Sequence, residues 1–207
     1  MKKIIAATLL LQSLLVFSQE EKAVYVKGNA LLLPVLVING GVEYQLNNKF
    51  TLQGDFLISP WKSFDGKHAQ IYMVGGEGRY YFDKAFSKFY VGANVSIGAF
   101  NVQKWNYWSD DYYVFKDGTV SPYIHSNLYQ KGISVIVGGT VGYQFKLSEK
   151  WNMDIFAGVG TSQDFYRGFD KVSGERYDDY PTQTRKWNRS GEIIPYRGGI
   201  MISYKIK

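Results

Sequence analysis

The chain has 207 residues, no cysteine and a formal net charge of +6 at pH 7. Without cysteine it has neither a disulfide framework nor a thiolate site, and a charge excess of this size is too small to argue for nucleic acid as a partner. Tyr, Phe and Trp make up 17% of the residues, which suits interfacial aromatic belts or binding loops.

The first segment reads as a secretory signal peptide over residues 1–18. Lys2 and Lys3 form a basic start, Ile4 to Phe17 is apolar apart from Thr8, Gln12 and Ser13, and Val16 and Ser18 stand at the −3 and −1 positions of a cleavage site. The apolar stretch is shorter than the ~20 residues of a spanning helix. Loss of Lys2 and Lys3 lowers the net charge from +6 to +4. Residues 19–207 then form one domain, expected to be an outer-membrane barrel. No other run of eighteen apolar residues follows; the longest, Ala30 to Ile38, is short and contains Pro34.

Eight strand-like segments come next, near 24–33, 37–46, 50–59, 68–82, 88–103, 131–147, 150–166 and 192–206. Asn47-Asn48-Lys49 and Ser148-Glu149-Lys150 are tight turns, and Asp83 to Ser87 is short. The connections 104–130 and 167–191 are long. Short turns at one end and long loops at the other are the habit of membrane barrels. No charged residue falls between Phe89 and Gln103, whereas the last long loop carries Arg167, Asp170, Lys171, Glu175, Arg176, Asp178, Asp179, Arg185, Lys186 and Arg189.

The hairpin at 131–166 states the pattern most plainly. Ile133, Val135, Val137, Gly139, Val141, Tyr143, Phe145 and Leu147 share one parity, and Ser134, Ile136, Gly138, Thr140, Gly142, Gln144 and Lys146 the other. Beyond the turn, Trp151, Met153, Ile155, Ala157 and Val159 oppose Asn152, Asp154, Phe156, Gly158 and Gly160. Period two means strand. The bulky apolar face has to meet something apolar, and the small polar face suits a crowded interior. This predicts an all-β, eight-stranded antiparallel up-and-down transmembrane β-barrel, apolar outside and polar inside. Closure is required because an open edge in lipid leaves backbone groups unpaired.

The last strand, Arg197-Gly198-Gly199-Ile200-Met201-Ile202-Ser203-Tyr204, resembles the C-terminal signal read by the barrel-assembly machinery, which is therefore an expected partner during insertion. It departs from the common form by ending Lys205-Ile206-Lys207.

Several blocks resemble the small outer-membrane β-barrel family catalogued as domain of unknown function 3575. They are Lys27-Gly28-Asn29-Ala30-Leu31, Gly41-Val42-Glu43-Tyr44, Ser59-Pro60-Trp61, Glu77-Gly78-Arg79-Tyr80-Tyr81-Phe82 and Tyr90-Val91-Gly92. The resemblance implies an eight-stranded outer-membrane barrel and supplies no activity.

Strand parity turns Lys27, Glu43, Asp55, Glu77, Arg79, Asp154 and Arg197 inward, together with Asn29, Gln53 and Asn94. They form either a catalytic or conducting path or a structural salt-bridge network. A narrow interior favours the network, because buried charges persist only when paired. His68 and His125 are the only histidines, with no spacing that suggests a metal or cofactor site. His125-Ser126 invites comparison with outer-membrane lipid hydrolases, but adjacent strand residues face opposite ways. Gly75-Gly76-Glu77-Gly78 and Gly138-Gly139-Thr140-Val141-Gly142 precede no helix and are not phosphate loops.

Recognition is expected in the long loops, at Trp105, Tyr107, Trp108, Tyr112, Tyr113, Tyr177, Tyr180 and Trp187, near Asp110, Asp111, Asp178 and Asp179. Aromatics beside carboxylates suit a glycan or protein ligand. The functional expectation is a non-enzymatic outer-membrane protein of a Gram-negative bacterium, structural or adhesive. It has no cofactor and contacts outer-membrane lipid. The alternatives are a lipid-modifying hydrolase, a narrow pore and a soluble periplasmic barrel.

Overall fold

The computed structural model describes residues 22–104, 107–115, 117–178 and 187–207. The signal peptide expected over 1–18 lies outside them. In chain order the strands are β1 (Val24–Asn29), β2 (Ile38–Gln45), β3 (Phe50–Phe64), β4 (Lys67–Tyr81), β5 (Lys88–Val102), β6 (Tyr112–Val114), β7 (Val120–Ile124), β8 (Leu128–Lys146), β9 (Trp151–Asp170) and β10 (Asn188–Lys205). Eight of them pair antiparallel with their chain neighbours, and β10 returns to β1 to close the barrel. The remaining two, β6 and β7, form a separate small hairpin between β5 and β8.

Alternation sets which way each side chain points. Along β8, Ser134, Ile136, Thr140 and Gln144 are buried, while Ile133, Val137, Val141 and Phe145 are exposed. Along β9, Asn152, Asp154, Phe156 and Ser162 are buried, while Trp151, Ile155 and Val159 are exposed. The register carries polar positions around the barrel at one level: Tyr25 opposes Glu43, Glu43 opposes Gln53, Gln53 opposes Glu77, and Glu77 opposes Asn94.

Several strand boundaries differ from the expected ones, and the β3–β4 turn and the end of β1 have local reasons. β3 and β4 do not break at Ser59-Pro60-Trp61 but continue to a two-residue turn at Asp65 and Gly66, where Phe64 opposes Lys67. Both turn residues have positive φ, 49° and 76°, as a hairpin of this length demands. In contrast, β1 stops at Asn29 instead of reaching 33. There the Asn29 amide takes over from the ladder. Its oxygen accepts from the N–H groups of Leu31 and Ile200, and its nitrogen donates to the Gly198 carbonyl. Pro34 then sits in a single helical turn, Leu33–Val35. Gly199, with φ at 146°, passes so close that a Cβ would lie 2.4 Å from the Asn29 amide. Asn29→Ala is expected to cost about 1–3 kcal/mol, the penalty for orphaned buried backbone groups. Urea unfolding followed by tryptophan fluorescence measures it.

Strand lengths make the rim uneven. At one end lie the short connections 46–49, 82–87 and 147–150, and at the other lie 30–37, 65–66, 103–127 and 171–187. The long loops are shorter than expected because Leu128 pairs with Asp170, extending the β8–β9 ladder. The short-turn end is stoppered from within. Phe86, held at φ 63°, is buried against Tyr25 with ring centroids 4.4 Å apart. A bulky residue persists at positive φ only where packing over-determines it.

Candidate functional site

Above this stopper the barrel interior holds one connected ionic network. The Lys27 ammonium meets Glu43, lies 2.9 Å from an Asp154 oxygen and donates to Gln53 at 3.3 Å. Arg79 is bound on several sides. Its Nη1 lies 2.9 Å from Asp154 and 3.2 Å from Glu43, and its Nε lies 2.7 Å from Glu77. The side chains of Lys27, Glu43, Glu77, Arg79 and Asp154 have no solvent exposure. Arg197 extends the network, with Nη1 2.9 Å from Glu77 and Nη2 2.7 Å from Asp55.

Neutral groups complete the shell. Thr51 and Tyr81 donate to the same Glu43 oxygen at 2.6 and 2.7 Å, and Tyr90 donates to Asp154 at 2.9 Å. The Tyr90 ring also stacks on Arg79, with the guanidinium carbon 4.5 Å from its centroid. Parity could have found Tyr81, which shares a face with Arg79, and Tyr90, which shares one with Asn94.

Tyr196 is a different case. Strict alternation sends it outward opposite Arg197, yet its hydroxyl donates to Asn94 inside the barrel. A bulge between Pro195 and Arg197 turns both neighbours inward. The usable sequence signal was Pro195, since proline within a strand marks an edge or a bulge.

Four carboxylates (Glu43, Asp55, Glu77, Asp154) thus face three cations (Lys27, Arg79, Arg197) across a lumen that side chains can fill. This arrangement fills the barrel interior at that level with paired charges. Each buried charge has a counter-charge beside it, the condition under which burial is tolerated.

Toward the long loops the lumen opens into a vestibule, a cavity of about 430 Å³. Leu57, Ile71, Met73, Phe100 and Ile136 give it apolar walls, and Ser134, Ser162, Asp164 and Ser190 a polar one. The serines are tied together. Ser134 and Ser162 are 2.7 Å apart, and Asp164 accepts from Ser162 at 2.6 Å and from Ser190 at 3.1 Å.

The loop aromatics divide into two groups, which corrects the expectation of a single recognition surface. Tyr107 and Tyr177 are buried with Leu128 in a small core, and Tyr113 packs partly buried against it. The Tyr113 and Tyr177 rings meet edge-on at 5.0 Å. These rings gain more by covering one another than by facing water. Burial holds the hydroxyls of Tyr107, Tyr113 and Tyr177 above the ordinary tyrosine range. Gln130, a vestibule residue, donates to the Tyr177 hydroxyl at 3.4 Å, so this core sits at the loop end of the cavity. Trp108, Tyr112 and Trp187 do stay exposed. Trp105 and Tyr180 lie outside the described residues, as does Asp179.

His125 and Ser126 stand on one helical turn and engage different partners. The Ser126 hydroxyl donates to Asp110, and the His125 Nδ1 lies 3.1 Å from the Asp111 carbonyl oxygen. His68 packs on Tyr129 with ring centroids 4.5 Å apart. Among the described residues no three His, Asp or Glu side chains converge as a metal site would need.

The class of protein is therefore a closed, eight-stranded antiparallel barrel with an ionic plug and an amphipathic vestibule. The chain belongs to the family described as protein of unknown function (DUF3575), which matches residues 6–205. No curated protein and no solved structure gives a significant match.

Proposed function

We propose that the protein is a non-enzymatic integral barrel of the Gram-negative outer membrane, structural or adhesive, with its recognition surface at the loop end. One observation carries this reading: the barrel is inverted relative to a soluble one. Arg79, Glu43, Glu77 and Asp154 rank among its most buried side chains, whereas Leu52, Val74, Val95, Ile97, Val137 and Val159 are exposed on its outer wall. Such a wall in water would be an aggregation hazard, and in lipid it is the ordinary solvent contact.

Aromatic pairs ring the short-turn end of that wall, among them Phe50–Tyr80, Phe89–Tyr143 and Trp151–Tyr204. They suit the headgroup level. Strands of 15 to 20 residues in β3, β4, β5, β8, β9 and β10 exceed the ~9–11 that a tilted spanning strand needs. We assign insertion to the barrel-assembly machinery through the β10 segment Arg197–Tyr204.

Recognition falls to the exposed aromatics. The Arg167 guanidinium sits 4.3 Å from the Trp187 ring centroid, and the Lys67 ammonium 6.0 Å from that of Trp108. Exposed Asp110 and Asp111 lie beside Trp108 and Tyr112. A glycan or protein ligand suits that mixture.

Fractionation of expressing cells tests the assignment. The protein is expected in the outer-membrane pellet after an alkaline wash, and release by osmotic shock would overturn it. In planar bilayers the ionic plug predicts no single-channel steps; steady conductance would make it a pore. Hydrolysis of lipid A or phospholipid, lost on His125→Ala, would overturn the non-enzymatic assignment.

A further inference from the structure

The barrel wall is not equally tall all round. β1 ends at Asn29 and β2 begins at Ile38, opposite Ile58. On β10 the pairing to β1 stops at Met201, so among the described residues the stretch Asn188–Gly199 pairs with β9 alone. On β3 the stretch from Ser59 to Phe64 likewise pairs only with β4. Between these two free edges the wall has a notch, and the loop 30–37 forms its sill. The Asn29 amide closes the ladder at the foot of the notch. Pro195 and the bulge fall on the free β10 edge, the place where sheets accept proline.

The vestibule reaches this notch. A second cavity of about 400 Å³ shares Leu57, Ile71, Met73 and Tyr196 with the first, and runs out past Leu32, Val37 and Gly198. Two groups of side chains flank the cavities along the barrel axis. The ionic plug lies below, and the core of Tyr107, Leu128 and Tyr177 lies at the loop end. The sill and edge are apolar on their outer side. Leu31, Leu33, Leu36 and Ile38 are exposed, and Ile193 is 82% exposed. This surface places the notch at lipid depth, in the outer leaflet under the membrane assignment above, on which this inference rests.

We propose that the notch is a lateral portal through which the acyl chain of a single-chain, uncharged, hydroxyl-bearing amphiphile enters the vestibule from the membrane. Each cavity has the volume of a small-ligand site. The chain lies against Leu57, Ile71 and Met73. The head meets Ser162, Asp164 and Ser190, which offer oxygens to hydroxyl donors. Charge selects the head. Among the described residues Asp164 and Glu192 line the first cavity with Lys104 as the one cation, and the second adds Asp55 and Arg197, so this lining carries net negative charge and repels a phosphate or carboxylate head.

The test uses the full chain in phosphatidylcholine vesicles with a monoacylglycerol carrying a diazirine on its acyl chain. After photolysis, adducts are mapped by mass spectrometry. The proposal expects adducts on the inward residues Leu57, Met73 or Ile136, competed away by unlabelled monoacylglycerol. Leu57→Trp, placed where the two cavities meet, should lower that labelling roughly tenfold, in line with the cost of overpacking an occupied site. Its heat-modifiable gel migration should remain, which shows that the barrel still forms. Ile194→Trp, on the opposite wall, gives the same reading if Leu57→Trp fails to assemble. Adducts confined to outward residues such as Phe56, Tyr72 or Val74 would overturn the portal and leave the membrane assignment standing. Recovery of the protein in a soluble fraction would overturn both. Equal labelling by a lysophosphatidate with the same chain would overturn the choice of head.

Discussion

Arg79→Met is expected to destabilise the barrel by about 3–5 kcal/mol, the usual cost of removing one partner from a buried ion pair. The substitution keeps most of the side-chain volume, so the loss comes from charge rather than from a cavity. Glu43, Glu77 and Asp154 all lose a contact at once, and Lys27 and Arg197 remain against four carboxylates. The cation over Tyr90 goes too. Urea unfolding in detergent micelles measures the change, and the folded band on an unheated gel should thin. Adding Asp154→Asn removes one of the stranded carboxylates and should restore part of the stability. A loss below about 1 kcal/mol for Arg79→Met, with no recovery in the double variant, would mean that the network does not brace the barrel.

The second large effect is expected on the opposite face. Val137 points outward, is 55% exposed, and stands between Val95 and Thr161 on its neighbouring strands. In a soluble barrel Val137→Arg would be close to neutral, since an exposed valine in water exchanges for a solvated charge. At mid-depth in a bilayer the same change costs ~2–4 kcal/mol. Val172→Arg, in an exposed loop position, is the control and should change stability by less than about 0.5 kcal/mol. Unfolding from lipid vesicles compares the two directly.

The parts legible in sequence were those governed by strict alternation. Ile133 to Leu147 and Trp151 to Val159 show their two faces without ambiguity, and the inward parity of Lys27, Glu43, Glu77, Arg79 and Asp154 follows from their neighbours. That rule fails wherever the backbone leaves period two. The bulge at Tyr196 reverses a side chain that parity sends outward. Asn29 ends β1 through a side-chain amide whose contacts reach as far as 171 residues away in sequence, which local pattern cannot reveal. The turn at Asp65-Gly66 was within reach, because Asp-Gly is a strong hairpin signal, but Ser59-Pro60-Trp61 read as a stop and masked it.

Loop burial was the least legible. Tyr107 and Tyr177 are far apart in sequence, and nothing local says that they meet under a cover of their own making. The same holds for the notch, which exists only because β1 and β2 are short where β3 and β10 are long. Both features are differences between elements, so they emerge only once the barrel is closed.

We expect this barrel to face lipid with its apolar wall and to keep its charges inside. Because the chain has no cysteine, single cysteines can be introduced at successive positions from 133 to 141 and given a nitroxide label in vesicles. Labels at Ile133, Val135, Val137, Gly139 and Val141 are expected to collide freely with oxygen dissolved in the bilayer and little with an aqueous nickel complex. Labels at Ser134, Ile136, Gly138 and Thr140 should show low collision with oxygen. Strong nickel collision at the odd positions would place this wall in water and overturn the membrane assignment.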